Sequence, residues 1–237
     1  VMGLGTLINA VGVIVGGILG ILIGSRMSRR IQDSVLKSAG FAVLFLGIIG
    51  TCQRALQISG DKLETKGTMM LVISLTFGTL IGEILNIEKL FESLGIYLKR
   101  VTKSESDSGF VDAFITASLT ICIGAMAILG AIQDGLTGDY TTLAAKATLD
   151  LFVIMILTVT NGKGSIFSVV PLVLFQGSIT VLARFVEPIM THQALTNLSL
   201  VGSILIFCVG VNLVWNKNIR VANMLPAIVI AVIWAFV

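Results

Sequence analysis

Long apolar stretches separated by short polar ones set the pattern of this chain. Eight stretches stand out: Leu4–Gly24, Val35–Leu56, Thr68–Leu85, Val111–Leu129, Thr142–Val159, Ser165–Val186, Leu198–Trp215 and Val221–Val237. Each is close to the roughly 20 residues that carry a helix across a hydrocarbon layer about 30 Å thick. Backbone amides in lipid must be satisfied within their own segment, which predicts helices. Barrel strands would alternate polar and apolar over about ten residues, whereas these runs are apolar on all sides. The expected fold is an all-α polytopic transmembrane bundle of about eight spans, forming one transmembrane domain over residues 1–237.

One segment departs from this pattern. Between positions 85 and 101, Ile87, Leu90, Phe91, Leu94, Tyr97, Leu98 and Val101 recur at intervals of three and four, with Glu88, Lys89, Glu92, Lys99 and Arg100 on the remaining positions. That spacing predicts an amphipathic helix lying in the membrane interface. Residues 102–109 are polar and are expected to form a flexible linker.

Composition strengthens the assignment. Charged residues make up 12% of the 237 and hydrophobic types 55%, against about 25% charged in a typical soluble domain. The net charge of +3 is spread over short loops, with no basic–aromatic platform for nucleic acid. The positions of lysine and arginine orient the spans. Arg26, Arg29, Arg30, Lys89, Lys99, Arg100, Lys103, Lys163, Lys217 and Arg220 fall on one side, and Arg54, Lys62, Lys66 and Arg184 on the other. Ten positives against four place the first side in the cytoplasm and both termini outside it. The positives Arg26, Arg29 and Arg30 follow the first apolar run, the reverse of a secretory signal peptide.

Internal repetition adds to the organisation. Gly5-Thr6-Leu7-Ile8 recurs as Gly78-Thr79-Leu80-Ile81, and a looser copy, Gly164-Ser165-Ile166-Phe167, opens the sixth span. Each is followed by a span with a central glycine: Gly47, Gly124 and Gly210. With the charge-derived orientation, spans 3–5 and 6–8 form an inverted repeat, an arrangement common in transporters.

Several residues are candidates for chemistry. Gly12, Gly16, Gly20 and Gly24 lie four apart in span 1 and offer a smooth face for another helix, within the chain or in a homo-oligomer. Pro171 and Pro226 fall in spans 6 and 8. A proline inside a helix releases the carbonyl four residues back, here those of Phe167 and Ala222. Gln176 and Asn223 lie nearby in sequence, so a broken helix lining a solute path stands against a simple packed kink. Lys146 and Asp150 are four apart in span 5 and can pair on one helix face. Intramembrane charges are costly and tend to be functional. Asp134 and Asp139, at the outer end of span 4, would attract cations as a carboxylate cluster, or form a solvated turn. Glu83 near the end of span 3 is expected to snorkel or cap, and Asn9 and Asn212 to act as hydrogen-bond glue or to join the path.

Enzyme signatures are poor. Cys52, Cys122 and Cys208 form no pair motif, and His192 is the single histidine, which argues against a zinc site or a histidine-activated nucleophile. There is no G-x-x-x-x-G-K-[ST] loop, and no cofactor is expected.

The opening Met2-Gly3-Leu4-Gly5-Thr6-Leu7-Ile8-Asn9, the run Gly124-Ala125-Met126-Ala127-Ile128-Leu129-Gly130-Ala131-Ile132-Gln133-Asp134-Gly135-Leu136, the pair Gln176-Gly177 and the run Arg220-Val221-Ala222-Asn223-Met224-Leu225-Pro226 resemble the bacterial membrane family called domain of unknown function 554. The resemblance spans the chain and implies a bacterial inner-membrane protein. It carries no catalytic or binding residue over. The leading expectation is a channel or secondary transporter for a small solute, most plausibly a cation, with Asp134, Asp139, Lys146, Asp150, Gln176, Asn223 and Pro226 on its path. The alternative is a non-transport membrane protein of regulation or assembly, using the glycine stripe and the amphipathic helix as contact surfaces.

Overall fold

The computed structural model describes residues 2–59, 62–105, 107–123, 125–215, 217 and 219–237. Eleven α-helices and one hairpin make up the regular structure of these residues: α1 Leu4–Gly24, α2 Arg29–Ala55, β1 Leu56–Ser59, β2 Lys62–Thr65, α3 Thr68–Leu85, α4 Ile87–Val101, α5 Phe110–Cys122, α6 Ala125–Thr137, α7 Thr141–Asn161, α8 Val169–Val181, α9 Ala183–Val186, α10 His192–Trp215 and α11 Pro226–Ile233. Short 3-10 turns lie at Lys163–Ser168, Glu187–Ile189, Val221–Met224 and Trp234–Phe236. The strands pair antiparallel, with Leu56 opposite Thr65.

Among the described residues, six helical segments are long and apolar enough to cross a membrane: α1, α2, α3, α7, the continuous Lys163–Val181 and α10. The expected fourth span is instead two helices, α5 and α6, bent by 63°. The expected eighth is a shorter apolar helix, Val221–Phe236. Gly124, the expected central glycine of that fourth span, lies outside the described residues, as does Ser106 of the expected linker.

On the first helix the distribution of side chains inverts the soluble rule. Along α1, Leu7, Val11, Ile14, Ile18 and Leu22 are exposed, while Gly5, Thr6, Asn9, Gly12, Gly16 and Gly20 are buried. Lipid does not reward burying a leucine, so close backbone approach and hydrogen bonding hold such helices together. Exposed apolar residues recur on the other long helices, among them Phe45 and Ile49 on α2, Phe77 and Ile84 on α3 and Phe152 on α7. A surface this apolar belongs in a bilayer.

The chain divides into two compact units. The first comprises residues 1–39, 89–122 and 126–186. In it the glycine stripe of α1 lies against the backbone of α7. A Cβ on Gly12 would sit 2.9 Å from the Ala147 carbonyl oxygen, one on Gly20 2.6 Å from that of Met155, and one on Gly24 3.3 Å from Val159 Cα. Gly16 meets the Leu151 carbonyl in the same way. The partners advance by four whenever the glycines do, so the two helices run parallel. The stripe is therefore used within the chain.

The second unit comprises residues 40–88, 123–125 and 187–237. Gly47 of α2 faces the backbone of Phe207, and Gly210 of α10 faces that of Leu44. The sum of paired numbers is nearly constant, with Gly40 against Val214 and Gly50 against Ser203, so α2 and α10 run antiparallel. Gly78 and Gly82 of α3 approach Ala227 and Asn223, again antiparallel.

The amphipathic segment is helical as expected. Asn86, at φ 51°, ends α3, and α4 follows at once. Its buried Gly95 lies under Phe114 and Val111, while Leu90, Tyr97 and Val101 remain exposed. The polar segment after it begins as a capping turn: Thr102 Oγ1 donates to the Leu98 carbonyl at 2.8 Å, and Ser104 N–H to that of Lys99 at 2.9 Å.

Gly16→Leu would force a side chain into the α7 backbone. Overpacking of this kind costs about 1–3 kcal/mol or more. A lowered unfolding midpoint in detergent is expected, and an unchanged midpoint with a changed oligomeric state would contradict the intrachain role.

Candidate membrane-embedded polar site

The first unit encloses a line of buried polar side chains. Helix α7 places Lys146 and Asp150 one turn apart, both almost fully buried, and they form an ion pair. The Lys146 ammonium also donates to the Ile121 carbonyl at 2.8 Å. Ile121 is in the last turn of α5, just before the bend into α6. The last four carbonyls of a helix have no donor within it, and a lysine near that end satisfies both the hydrogen bond and the helix dipole. Here the lysine comes from a neighbouring helix, and Asp150 balances its charge.

Two further helices close the site. Asn9 of α1 is fully buried and lies against the Asp150 carboxylate. Its Nδ2 donates to Gln176 Oε1 of α8 at 3.2 Å. One turn along, the hydroxyls of Thr6 and Thr180 are 3.4 Å apart. Asn9 Oδ1 and Gln176 Nε2 are buried and have no protein partner among the described residues. At 1.5 Å of rise per residue, Asp150 lies roughly 13 Å along α7 from its start, near half of the hydrocarbon thickness.

Asp134 begins this line but has a structural use. It is fully buried, and its two oxygens accept from Gly3 N–H at 3.2 Å and Gly5 N–H at 3.0 Å. A carboxylate there completes the first turn of α1 and complements its dipole. Gly5 is needed for the approach, since a Cβ would lie 2.8 Å from Leu143 and 3.1 Å from Asp134.

The family follows from the comparison of the whole chain with known proteins. The model of the family described as protein of unknown function (DUF554) matches residues 4–236. The chain belongs to the DUF554 family. It is 30% identical over 233 residues to the "Uncharacterized membrane protein YdfK" of Bacillus subtilis (strain 168), covering 98% of this chain and 96% of that one. It is 29% identical over 235 residues to the "Uncharacterized protein YqgA" of Escherichia coli (strain K12), covering 97% and 95%. No solved structure matches it.

In this DUF554 chain, Lys146, Asp150 and Gln176 of the sequence candidates come together, joined by Asn9. The others do not join them. Asp139 is exposed at the start of α7, where its Oδ1 accepts from Thr141 N–H at 3.0 Å and Thr141 Oγ1 at 2.7 Å. With Asp134 buried and Asp139 in this turn, the expected carboxylate cluster at the outer mouth is not assembled.

Asn223 and Pro226 belong to the second unit. Asn223 Oδ1 accepts from Glu88 N–H at 2.7 Å in the first turn of α4, and Arg220 pairs with Glu83 at 3.1 Å. Pro226 is the first residue of α11, where its missing N–H costs nothing. Pro171 lies in the first turn of α8. The carbonyls expected to be freed by these prolines, those of Phe167 and Ala222, accept from Val169 and Leu225 N–H. The break that matters lies between α5 and α6, where no proline stands. Asn212 binds the Ile219 backbone twice, at 2.8 and 3.0 Å, stapling a loop.

Two outcomes are expected. Lys146→Met leaves Asp150 unpaired in the interior and costs about 3–5 kcal/mol, while Lys146→Met with Asp150→Leu is near neutral. A double variant as unstable as the single one would show that the pair is not the source. For Asp139, the hydrogen bonds from Thr141 hold its carboxyl below the usual carboxylate value. Its contribution is therefore present above the unfolded value and lost as pH falls through the folded one. Hydrogen exchange in the first turn of α7 should accelerate over that acid range in the wild type and not in Asp139→Asn.

Proposed function

We propose that this protein is a channel or secondary transporter for a small solute, with a small cation the best-served class, and that solute passes along the polar line of the first unit. The observation that carries this is the Lys146–Asp150 pair held on the Ile121 carbonyl, beside the bend between α5 and α6. Non-helical backbone at membrane depth is tolerated where it lines a cavity or is buried in protein, and transporter sites use such broken helices. The line is rich in acceptors: the Asp150 carboxylate, the Ile121 carbonyl, Asn9 Oδ1 and the threonine hydroxyls. Lys146 is its one cation among the described residues.

We infer eight crossings of a bacterial inner membrane with both termini outside the cytoplasm; the helix pairings bear on the number of crossings alone, with which they are compatible. Parallel α1 and α7 need an odd number of crossings between them, met by α2, α3 and the bent pair counted as one. Antiparallel α2 with α10, and α3 with α11, fit the same count. A regulatory or assembly role has less behind it, because the glycine stripe that would serve as its contact surface lies against α7.

Purified protein in proteoliposomes, tested with Na+, K+, H+ and small neutral solutes, should show flux of at least one. That flux should vanish in the Lys146→Met, Asp150→Leu variant with its unfolding midpoint retained. Wild-type protein that is folded and passes none of the panel would sink the proposal.

A further inference from the structure

We propose that the Lys146 ammonium is the resident occupant of a monovalent-cation site, which takes a free Na+ or K+ when the lysine is removed. This rests on the site described above, not on whether solute passes through it.

The ammonium is held as a small hard cation would be. Its acceptors are a carboxylate oxygen from Asp150 and a backbone carbonyl oxygen from Ile121. Such cations prefer oxygen donors of this kind. Lysine carries a compact point charge on a flexible stem, and an ammonium is close to K+ in size. A further oxygen, Asn9 Oδ1, is buried and has no protein partner among the described residues, on a side chain that already lies against Asp150.

Truncating Lys146 would leave Asp150 with an uncompensated charge, the Ile121 carbonyl without its donor, and an opening of ammonium size between them. A buried carboxylate in that position gains most from a cation that fits the vacated volume. The substitution thus makes the stability of this site depend on a free cation where the lysine had supplied the charge.

The test measures unfolding midpoints in detergent at constant ionic strength, with NaCl, KCl or choline chloride. Wild type should give the same midpoint in all three salts. Lys146→Ala should be less stable in choline and should regain several degrees, saturably, in Na+ or K+. Lys146→Ala with Asp150→Asn should lose that response. The proposal is overturned if Lys146→Ala responds alike to all three salts, or if its response survives Asp150→Asn. It is also overturned if Lys146→Ala folds in no salt while Lys146→Met with Asp150→Leu folds. Cation rescue without flux in the liposome assay would retain this site and reject transport; flux without rescue would do the reverse.

Discussion

A buried carbonyl must have a donor, and Ile121, in the last turn of α5, has none within its own helix. Much of the first unit follows from how that is met. Lys146 reaches from α7 to the carbonyl, which brings a full charge into the interior. The charge requires Asp150 one turn on, and Asp150 draws in the Asn9 amide, which bonds to Gln176. Each polar group answers the one before it, and four helices are tied together by a chain that starts at one backbone atom.

That chain could not close without the glycines. Asn9 and Asp150 meet because α1 lies directly on the α7 backbone, and it does so because positions 12, 16, 20 and 24 have no side chain. Dispersion and hydrogen bonds fall off steeply with separation. A helix held off by a row of leucines would leave Asn9 too far from α7 to matter. Small residues inside and large ones outside thus serve the site as well as the packing.

Six of the eight expected spans were legible because a run of apolar residues at bilayer length has one main physical outcome. The Lys146–Asp150 pair was legible because four-residue spacing fixes a shared helix face. The glycine stripe showed that α1 packs closely, but not against what, since spacing on one helix carries no information about its partner. The prolines misled for a related reason. Proline at the first turn of a helix and proline within it look the same in sequence until the helix start is known, and both Pro171 and Pro226 stand in first turns. Asp134 read as part of an outer carboxylate cluster or of a solvated turn because nothing local marks a carboxylate that closes the end of a helix more than a hundred residues away. The Ile121 carbonyl has no side-chain signature at all.

What distinguishes a structural ion pair from a working one is whether its surroundings are complete. Around Lys146 the charges cancel and the carbonyl is capped, which by itself would make a stable plug. Beside it, however, an amide oxygen on Asn9 and an amide nitrogen on Gln176 are buried without protein partners among the described residues. Each is costly to bury without a partner. On the transport reading proposed above, that donor and acceptor are the groups a polar solute would meet beside the cancelled charge pair.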